Sequence, residues 1–389
     1  MISFQVNSKD LETPVSLLVY AATLKSYGAI PVESVSITFT QTTMALCNMN
    51  ESNGVLVRDI PITVLADTGN LEYTTKTYAV NAKKLDSAVK SLADVIDCTL
   101  TDSVLTLKSK SKRFELPLYT MGNRKLLTFE FEDQERDIES FIDQAECLSW
   151  VTSAMKSMPE YSAVYFNDTQ MLGTDRLSTL FIKDSKTFSG STFLMNPDLF
   201  VACHKKIKSK TVLLGRTPDD RKVVMVFGNI ALLKTKQCPD KFPAKALLDI
   251  IYEMYRLQTE SSPRVIETVV DRSVFEKQFK DLKAVTAEDT YELQLDFTAG
   301  RIILTGGGLG KGASGDATIP ITVTKNETVM QCIKVNANAV HIQVLLKMMK
   351  IYPQAKLVFV QNSRVTTKIA YITLISDDIC YTFVPQNSR

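Results

Sequence analysis

The chain has 389 residues, of which 45% are hydrophobic and 23% are charged. This composition is typical of a globular protein with a sizeable core, and the length predicts two or three domains. No run of about 18 apolar residues occurs, which excludes an ordinary membrane-spanning helix. The formal net charge of +2 gives no bulk attraction to nucleic acid, so the distribution of charge is more informative than its sum.

The N-terminus and the cysteines indicate the compartment. Residues 1–10, MISFQVNSKD, lack a basic start followed by an apolar stretch, so we expect no export signal. The seven cysteines are scattered and form no CxxC pair, which favours reduced, mostly buried thiols over disulfides or a zinc site. We therefore expect a cytoplasmic protein without a metal or another cofactor.

A short pattern predicts helix starts at six places along the chain. In each copy an apolar residue ends a strand-like run, Asn or Asp follows, and an apolar residue recurs four positions later. Asn and Asp accept hydrogen bonds from the free amides of a first helical turn, and the apolar pair packs across that turn. In the first copy, Pro14 also permits a start as late as Thr13. The predicted starts are Asn7, Asn81, Asp143, Asn196, Asp271 and Asn336.

Between these helices the chain alternates apolar and polar residues, with turn residues at intervals, which predicts antiparallel hairpins. The repeated unit is therefore a strand, a helix and then several strands, and pairing the six units gives three domains. Equivalent starts at Asn7, Asp143 and Asp271 are 136 and 128 residues apart. Polar, turn-rich segments at 120–125 and 258–264 mark the boundaries. The predicted domains are residues 1–123, residues 124–258 with a C-terminal connecting segment, and residues 259–389.

Positive charge is concentrated in the predicted helices. Taken as residues 8–25, 83–92, 144–158, 197–210, 272–283 and 337–350, they contain 16 Lys and Arg against 7 Asp and Glu. A basic helical surface binds phosphates without reading base sequence. A single such lysine is more typical of a solvated helix surface, so only the set as a whole indicates DNA. The candidate DNA-facing lysines are Lys25, Lys83, Lys84, Lys90, Lys205, Lys206, Lys208, Lys210, Lys277, Lys280, Lys283, Lys347 and Lys350.

Residues 80–92, VNAKKLDSAVKSL, and 95–119, VIDCTLTDSVLTLKSKSKRFELPLY, carry a family resemblance. They resemble the closing half of the first domain in the bacterial DNA polymerase III beta clamp, and the order of all six units is similar as well. The resemblance implies an α+β fold of three DNA-clamp domains, each made of two helix-plus-antiparallel-sheet units. It also implies that one chain forms half of a ring, and that a head-to-tail homodimer encircles double-stranded DNA. Edge strands at the far ends of domains 1 and 3 would then pair across subunits.

The same family binds short linear motifs of polymerase, clamp loader and repair proteins in a hydrophobic groove between domains 2 and 3. Its Thr-Asp-Gly-His-Arg-Leu motif resembles residues 174–177, which lack the central Gly-His, and its C-terminal strand resembles residues 381–386. Tyr165 matches an aromatic residue that the family uses on DNA. The last residues, Asn387, Ser388 and Arg389, are expected to cover part of the groove. The groove residues that the resemblance implies are Phe166, Thr174, Arg176, Leu177, Pro243, Leu247, Leu248, Val365, Phe383, Val384, Pro385 and Gln386.

Two other functional classes remain as alternatives. A nucleotide-binding enzyme is suggested by Gly310–Gly315, which spells GxGxxG. A phosphate-binding loop requires a helix directly after it, whereas this segment lies between two predicted strands. His204, His341 and the acidic pairs at 219–220 and 377–378 form no catalytic pattern, so we expect a non-enzyme. The other alternative is a protein-interaction scaffold that forms no ring.

Overall fold

The computed structural model describes the chain apart from short segments and single positions. Those left out are residues 24–32, 50–52, 68–76, 111, 122–127, 133–134, 153–160, 168, 184–191, 261, 287, 308–312, 329, 366 and 388–389. Lys25 lies outside the described residues. The described residues form seven helices: α1 Ser8–Thr23, α2 Ala82–Ser91, α3 Glu139–Thr152, α4 Asp198–Ile207, α5 Ala244–Thr259, α6 Arg272–Thr286 and α7 Ala339–Ile351.

The strands of the first half of the chain are β1 Ile2–Asn7, β2 Ser34–Phe39, β3 Thr43–Met49, β4 Asn53–Pro61, β5 Thr63–Asp67, β6 Thr77–Asn81, β7 Val95–Leu100, β8 Val104–Ser109, β9 Lys112–Met121, β10 Glu130–Phe131, β11 Arg136–Asp137, β12 Val164–Asn167, β13 Gln170–Thr174 and β14 Ser178–Lys183. The second half adds β15 Phe193–Met195, β16 Thr211–Arg216, β17 Lys222–Phe227, β18 Ile230–Thr235, β19 Val265–Val270, β20 Thr290–Asp296, β21 Arg301–Gly306, β22 Gly315–Asn326, β23 Cys332–Asn338, β24 Lys356–Gln361, β25 Ile369–Ile375, β26 Ile379–Phe383 and β27 Gln386–Asn387. Every pairing given for these strands is antiparallel, as predicted, and the fold is α+β.

The chain divides into two compact units, residues 1–142 with 197–237, and residues 143–196 with 238–389. Each unit holds one continuous sheet. In the first unit the order is β10-β16-β17-β18-β4-β3-β2-β6-β9-β8-β7-β1-β5, with β11 also on β16. In the second it is β15-β12-β13-β14-β26-β25-β24-β19-β22-β21-β20-β23-β27. The three-domain boundaries stay a prediction.

The helices of the first unit lie in a row, because α1 contacts both α2 and α4. α1 is held to α2 by a hydrogen bond that Ser16 Oγ donates to Asp86 Oδ1 at 3.0 Å. On the α4 side, the ammonium of Lys206 lies 5.8 Å from the centre of the Tyr20 ring. The apolar sides of these helices, such as Leu17 and Leu18 of α1, are fully buried. The opposite sides carry the charged residues.

The second unit repeats this arrangement with α7 between α3 and α6. Gln144 of α3 donates a 2.6 Å hydrogen bond to the hydroxyl of Tyr352, which caps α7, and α6 contacts α7 directly. Because α7 is covered by a helix on each side and by the sheet below, eight of its 13 residues are buried. α5 packs on the other face of this sheet, since neighbouring strand residues point to opposite faces: Tyr381 and Phe383 of β26 meet His341 of α7, whereas Cys380 packs in the cluster under α5.

Three of the six predicted helix starts are confirmed by their capping bonds. Asn81 Oδ1 accepts from Lys84 N at 3.0 Å, and Asp271 Oδ1 accepts from Ser273 N and Val274 N at 2.8 and 3.2 Å. Asn7 Oδ1 accepts from Lys9 N at 3.0 Å, so α1 begins at Ser8 and continues through Pro14; the later start at Thr13 is wrong.

The other three predicted starts are wrong by a few residues. Asp143 lies inside α3, because Asp137 bonds the amide of Glu139 and the helix begins there. Asn196 donates its side-chain amide to the carbonyl of Ser162 instead of capping α4. Asn336 lies in β23, and Asn338 is the residue that caps α7, accepting from Val340 N at 2.8 Å. α5 was not predicted.

Candidate nucleic-acid and peptide interfaces

In the first unit, α2 and α4 present exposed lysines. α2 buries Leu85, Ala88 and Val89, so Lys83, Lys84 and Lys90 lie on its solvent side and are exposed. Lys90 also forms a 2.6 Å ion pair with Asp86, which reduces the charge that it offers to a phosphate. The sequence places these lysines outward because the apolar residues recur at helical spacing.

Lys205 and Lys206 are exposed at the end of α4, and Lys208 and Lys210 are exposed just beyond it. Lys208 adopts the left-handed conformation with φ 55° and closes the helix with a bond from its amide to the carbonyl of His204. Four lysines within six residues at a helix C-terminus are favoured by the helix dipole. They form a dense cationic group at the end of α4 and directly after it, and we call them the α4 lysine cluster.

In the second unit, Lys277, Lys280 and Lys350 are exposed on α6 and α7, and Lys283 is half-buried. Lys280 bonds Glu276 at 2.6 Å, and Lys283 lies 5.9 Å from the ring centre of Phe279. Lys277 and Lys350 are therefore the more available cations on this row of helices.

The charge of Lys347 is compensated by two neighbouring carboxylates. Its ammonium bonds Asp143 at 3.0 Å and also pairs with Glu146, and it lies 5.4 Å from the ring centre of Trp150. Burial alone would lower the pKa of Lys347, but the two carboxylates outweigh this effect and raise it. Lys347 thus joins α7 to α3, and a phosphate would have to compete with two carboxylates for it.

The helices are less basic than their predicted bounds indicated. Without α5, the observed helices contain 12 Lys and Arg against 9 Asp and Glu, a net charge of +3. The earlier start of α3 adds Glu139 and Asp143, and Lys208 and Lys210 fall after α4. The predicted concentration of positive charge on helices is therefore real but smaller than expected.

The turn at residues 174–178 joins β13 to β14 and is tightly bonded. Thr174 Oγ1 donates to the carbonyl of Ser178 at 2.6 Å, and Asp175 Oδ1 accepts from the amides of Leu177 and Ser178 at 3.0 and 2.6 Å. Arg176 adopts φ 73°. As a result Thr174 is buried, whereas Arg176 and Leu177 point outward and Leu177 is 52% exposed.

The C-terminal segment runs directly beside this turn. Val384 donates its amide to the carbonyl of Leu177 at 2.8 Å and is 43% exposed. Phe383 and Pro385 are buried, and Gln386 is exposed. The tail then pairs as β27 with Val335 and Asn336 of β23. The structure thus places Val384 beside Leu177, with Gln386 two residues farther along the tail. The assignment of these residues to a peptide groove stays a prediction.

A buried polar group supports this turn from below. His341 Nδ1 lies 3.0 Å from the hydroxyl of Tyr381, and His341 Nε2 lies 4.0 Å from Asp175. The imidazole stacks on Phe383 with ring centres 5.0 Å apart. Burial lowers the pKa of His341 from 6.5, and the carboxylate of Asp175 opposes this effect. Residues 174–178 and 381–383 are therefore fixed to each other through α7.

Three further predicted residues lie in other settings: Phe166 and Val365, which the resemblance assigns to the groove, and Tyr165, which it assigns to the DNA-facing set. Phe166 is buried and stacks on Phe193 at 5.3 Å, so its ring belongs to the core. Tyr165 stacks on Phe242 at 5.4 Å beneath α5, and its ring is engaged there. Val365 is 43% exposed in the turn after β24.

Pro243 immediately precedes α5, and Leu247 and Leu248 lie in its first turns, packed on the apolar cluster that α5 covers. This cluster also contains Phe181 of β14, Val358 and Val360 of β24, and Ile375 of β25. The helix was missed in the sequence although Leu247, Ile251, Met254 and Leu257 recur at helical spacing. That spacing is the signal that identifies it.

The glycine-rich segment is followed by a strand. Gly306 of β21 pairs with Gly315 of β22, and β22 continues to Asn326. A phosphate-binding loop requires a helix directly after it, whereas the described residues that follow this segment form a strand. Among the described residues no group of three His, Cys, Asp or Glu side chains is placed to hold a metal ion. None of the described helices combines the length and the apolarity that a membrane crossing requires.

Comparison with known proteins was made by sequence and by structure. No family model and no curated protein sequence matches the chain. The beta sliding clamp of Caulobacter crescentus superimposes with a TM-score of 0.71 at 14% identity, covering 100% of this chain and 99% of that one. The chain has the sliding-clamp fold. The DNA polymerase III beta subunit of Pseudomonas aeruginosa shares this fold with a TM-score of 0.66 at 12% identity, covering 99% of this chain and 100% of that one. The beta subunit of Thermotoga maritima shares it with a TM-score of 0.66 at 10% identity, covering 100% of both chains.

The clamp fold explains why sequence comparison finds nothing while structure comparison spans the whole chain. At 10–14% identity, these proteins share the order of helices and strands with this chain, but few of the individual residues. Such an order can be kept when most side chains change, because it depends on the spacing of apolar residues. The local resemblance at residues 80–92 and 95–119 corresponds to β6, α2 and β7–β9.

Proposed function

We propose that this protein is a DNA sliding clamp, which encircles double-stranded DNA as a ring-shaped homodimer in the cytoplasm and tethers a polymerase and a clamp loader. The observation that carries the proposal is the clamp fold over the full length of the chain. The fold alone does not determine function, so the charged helices and the strand edges supply independent support.

The charged helices support contact with DNA without base recognition. Exposed lysines recur on α2, α4, α6 and α7, and each of these helices belongs to a three-helix row on one face of its sheet. Lysines act on phosphates as point charges and carry no base specificity. A ring needs no more than this, because topology holds it on DNA.

Two strand edges support closure by a second copy. Within the described residues, Lys112–Pro117 of β9 pairs only with β8, and Gly315–Pro320 of β22 pairs only with β21. Both segments end in a proline, which is typical of an edge because proline donates no hydrogen bond. Pairing of β9 with β22 of another copy would cover both edges and would repeat twice in a closed head-to-tail dimer.

The surface at Leu177, Val384 and Gln386 supports peptide binding. Two exposed apolar side chains beside an exposed strand end are suited to a short linear motif that inserts apolar residues. Thr174 and Phe383 contribute as buried supports of this surface, and Arg176 is exposed at its rim.

The proposal is tested by the dependence of binding on DNA topology. The protein is assembled on a nicked circular plasmid, purified by gel filtration at moderate salt, and then treated with a nuclease that cuts the plasmid once. A clamp coelutes with the circle as a dimer and is released after the cut. A scaffold would show no such dependence, and a protein that coelutes equally with both forms binds DNA by affinity and is not a ring.

A further inference from the structure

The C-terminal tail covers part of a sheet edge that is otherwise open. Along one side, β23 pairs with β20 over its whole length, from Cys332 to Asn338. On its other side, within the described residues, it pairs only with Gln386 and Asn387 of the tail. An edge of this kind accepts any extended chain with free backbone groups. The tail shows that this one does accept a strand.

The tail strand is short and therefore easily displaced. Two paired residues can add only a pair of backbone hydrogen bonds, and Gln386 is a polar, exposed residue. The tail is fixed just before this point, where Val384 bonds Leu177 and Pro385 is buried. Detachment of β27 therefore leaves β26 and the turn at residues 174–178 in place.

Apolar side chains flank the edge. Leu177 and Val384 are 52% and 43% exposed where the tail starts, and Val340, two residues after β23, is 38% exposed. An extended peptide with apolar side chains would gain backbone bonds from β23 and contacts from these residues, whereas the tail has polar residues at its two paired positions. Strand addition combines these two sources of affinity in other peptide-binding domains.

We propose that the tail occupies the β23 edge as a built-in competitor, and that an apolar, extended segment of a partner protein displaces it and adds a strand to β23. The identity of the partner rests on the proposed peptide-tethering function; the edge and its exchangeable strand do not. A tail linked to its own site competes at an effective concentration on the order of millimolar, so only segments that bind β23 more tightly than the tail displace it.

Hydrogen–deuterium exchange of the peptide that covers Cys332–Asn338 tests the proposal. Three proteins are compared: the full chain, a variant that ends at Phe383, and a full-length variant with Gln386→Pro and Asn387→Pro. The proline variant is the matched control, because it keeps the bond between Val384 and Leu177 but removes the two donors of β27. We expect amides on the open side of β23 to exchange at least about tenfold faster in both variants than in the full chain.

Two synthetic hexapeptides then probe the edge in the variant that ends at Phe383. One has the sequence of residues 384–389, VPQNSR, and the other has leucine at the positions of Gln386 and Asn387. We expect both to restore protection of β23, the leucine peptide at a concentration at least about tenfold lower. In the full chain the leucine peptide should also release the tail, which is detected by a label placed at residue 389.

The outcomes separate this inference from the clamp assignment. Unchanged exchange in both variants, or equal potency of the two peptides, overturns the inference, and a ring that still depends on DNA topology leaves the proposed function standing. Protection by the peptides on a protein that forms no ring supports the edge and removes the clamp assignment.

Discussion

Lys234 offers a quantitative test of how the first unit is held together. It lies on β18, where this strand pairs with β4, and it is 7% exposed. Its ammonium donates a 2.5 Å hydrogen bond to Asn53 Oδ1 of the opposite strand. Burial lowers the pKa of Lys234 from 10.5 to about 8; Asp198 opposes this and Lys222 adds to it.

The sign of the pH dependence follows from the proton balance. Between about pH 8 and 10.5 the unfolded chain keeps the Lys234 proton while the folded chain has lost it, so raising the pH favours the folded state. The gap between the two pKa values is worth about 3 kcal/mol, and roughly 2.5 kcal/mol of it is gained between pH 7 and pH 10. The stabilising contribution is thus fully present above about pH 10.5 and is lost as the pH falls from there to about 8.

The perturbation is Lys234→Met, which keeps the length of the side chain and removes the titrating group. Urea unfolding of wild type and variant is followed by circular dichroism at pH 7, 8, 9 and 10, and the difference in unfolding free energy is plotted against pH. Other titrations cancel in this difference. We expect wild type to gain about 2 to 3 kcal/mol on the variant across this range; Lys222→Met, which leaves Lys234 in place, should keep most of the dependence. If the difference in unfolding free energy between wild type and Lys234→Met does not change with pH, the lowered pKa of Lys234 is wrong.

Further predictions concern the two interfaces and α5. Replacing Lys205, Lys206 and Lys208 with Glu should reduce retention on circular plasmid at least about tenfold, because like charges then face the phosphates; the same change at Lys241, Lys245 and Lys368 is the control, and equal loss in both removes the α4 lysine cluster from the DNA surface. Leu177→Ala should weaken binding of a polymerase-derived peptide about tenfold in fluorescence anisotropy without changing the dimer measured by light scattering, and unchanged affinity would remove Leu177 from the groove. Ile251→Ala should lower the unfolding free energy by roughly 2 to 5 kcal/mol, because Ile251 lies on the packed side of α5 and is fully buried. A loss below about 1 kcal/mol would mean that α5 packs loosely.

Local chemistry determined which parts of the fold were predictable. The caps at Asn81 and Asp271 bond amides two or three residues away, so a short pattern suffices to locate them. At residues 335–340, VNANAV, two asparagines stand two positions apart, and only the pairing of β23 with β20 decides that the helix starts after Asn338. Asp143 fits the same pattern, but Asp137 supplies an earlier cap that lies outside it.

In the predicted interfaces, too, the features set by local sequence were predictable, and those set by packing between distant segments were not. The lysines of α2 and α4 are exposed because helical spacing fixes which side is buried. Compensation of Lys347 by Asp143 and Glu146 depends on the packing of α7 beside α3, two helices about 200 residues apart in the chain. Tyr165 and Phe166 are neighbours on β12, so alternation sends one ring to Phe242 and the other to Phe193. The sequence singled out Tyr165 and Phe166 as candidate site residues but did not show which ring each would stack on.

The modest charge of the helices bears on how such a protein would stay on DNA. With a net charge of +3 on the observed helices, only a few phosphates are neutralised at once, and each contact makes affinity fall steeply with salt. Affinity for linear duplex should therefore be lost when salt is raised from about 0.05 to 0.2 M. A closed ring on a covalent circle is held by topology, so the same rise in salt should leave it bound until the dimer itself opens. If retention on the circle falls in parallel with binding to linear DNA, charge alone holds the protein, and the ring is wrong.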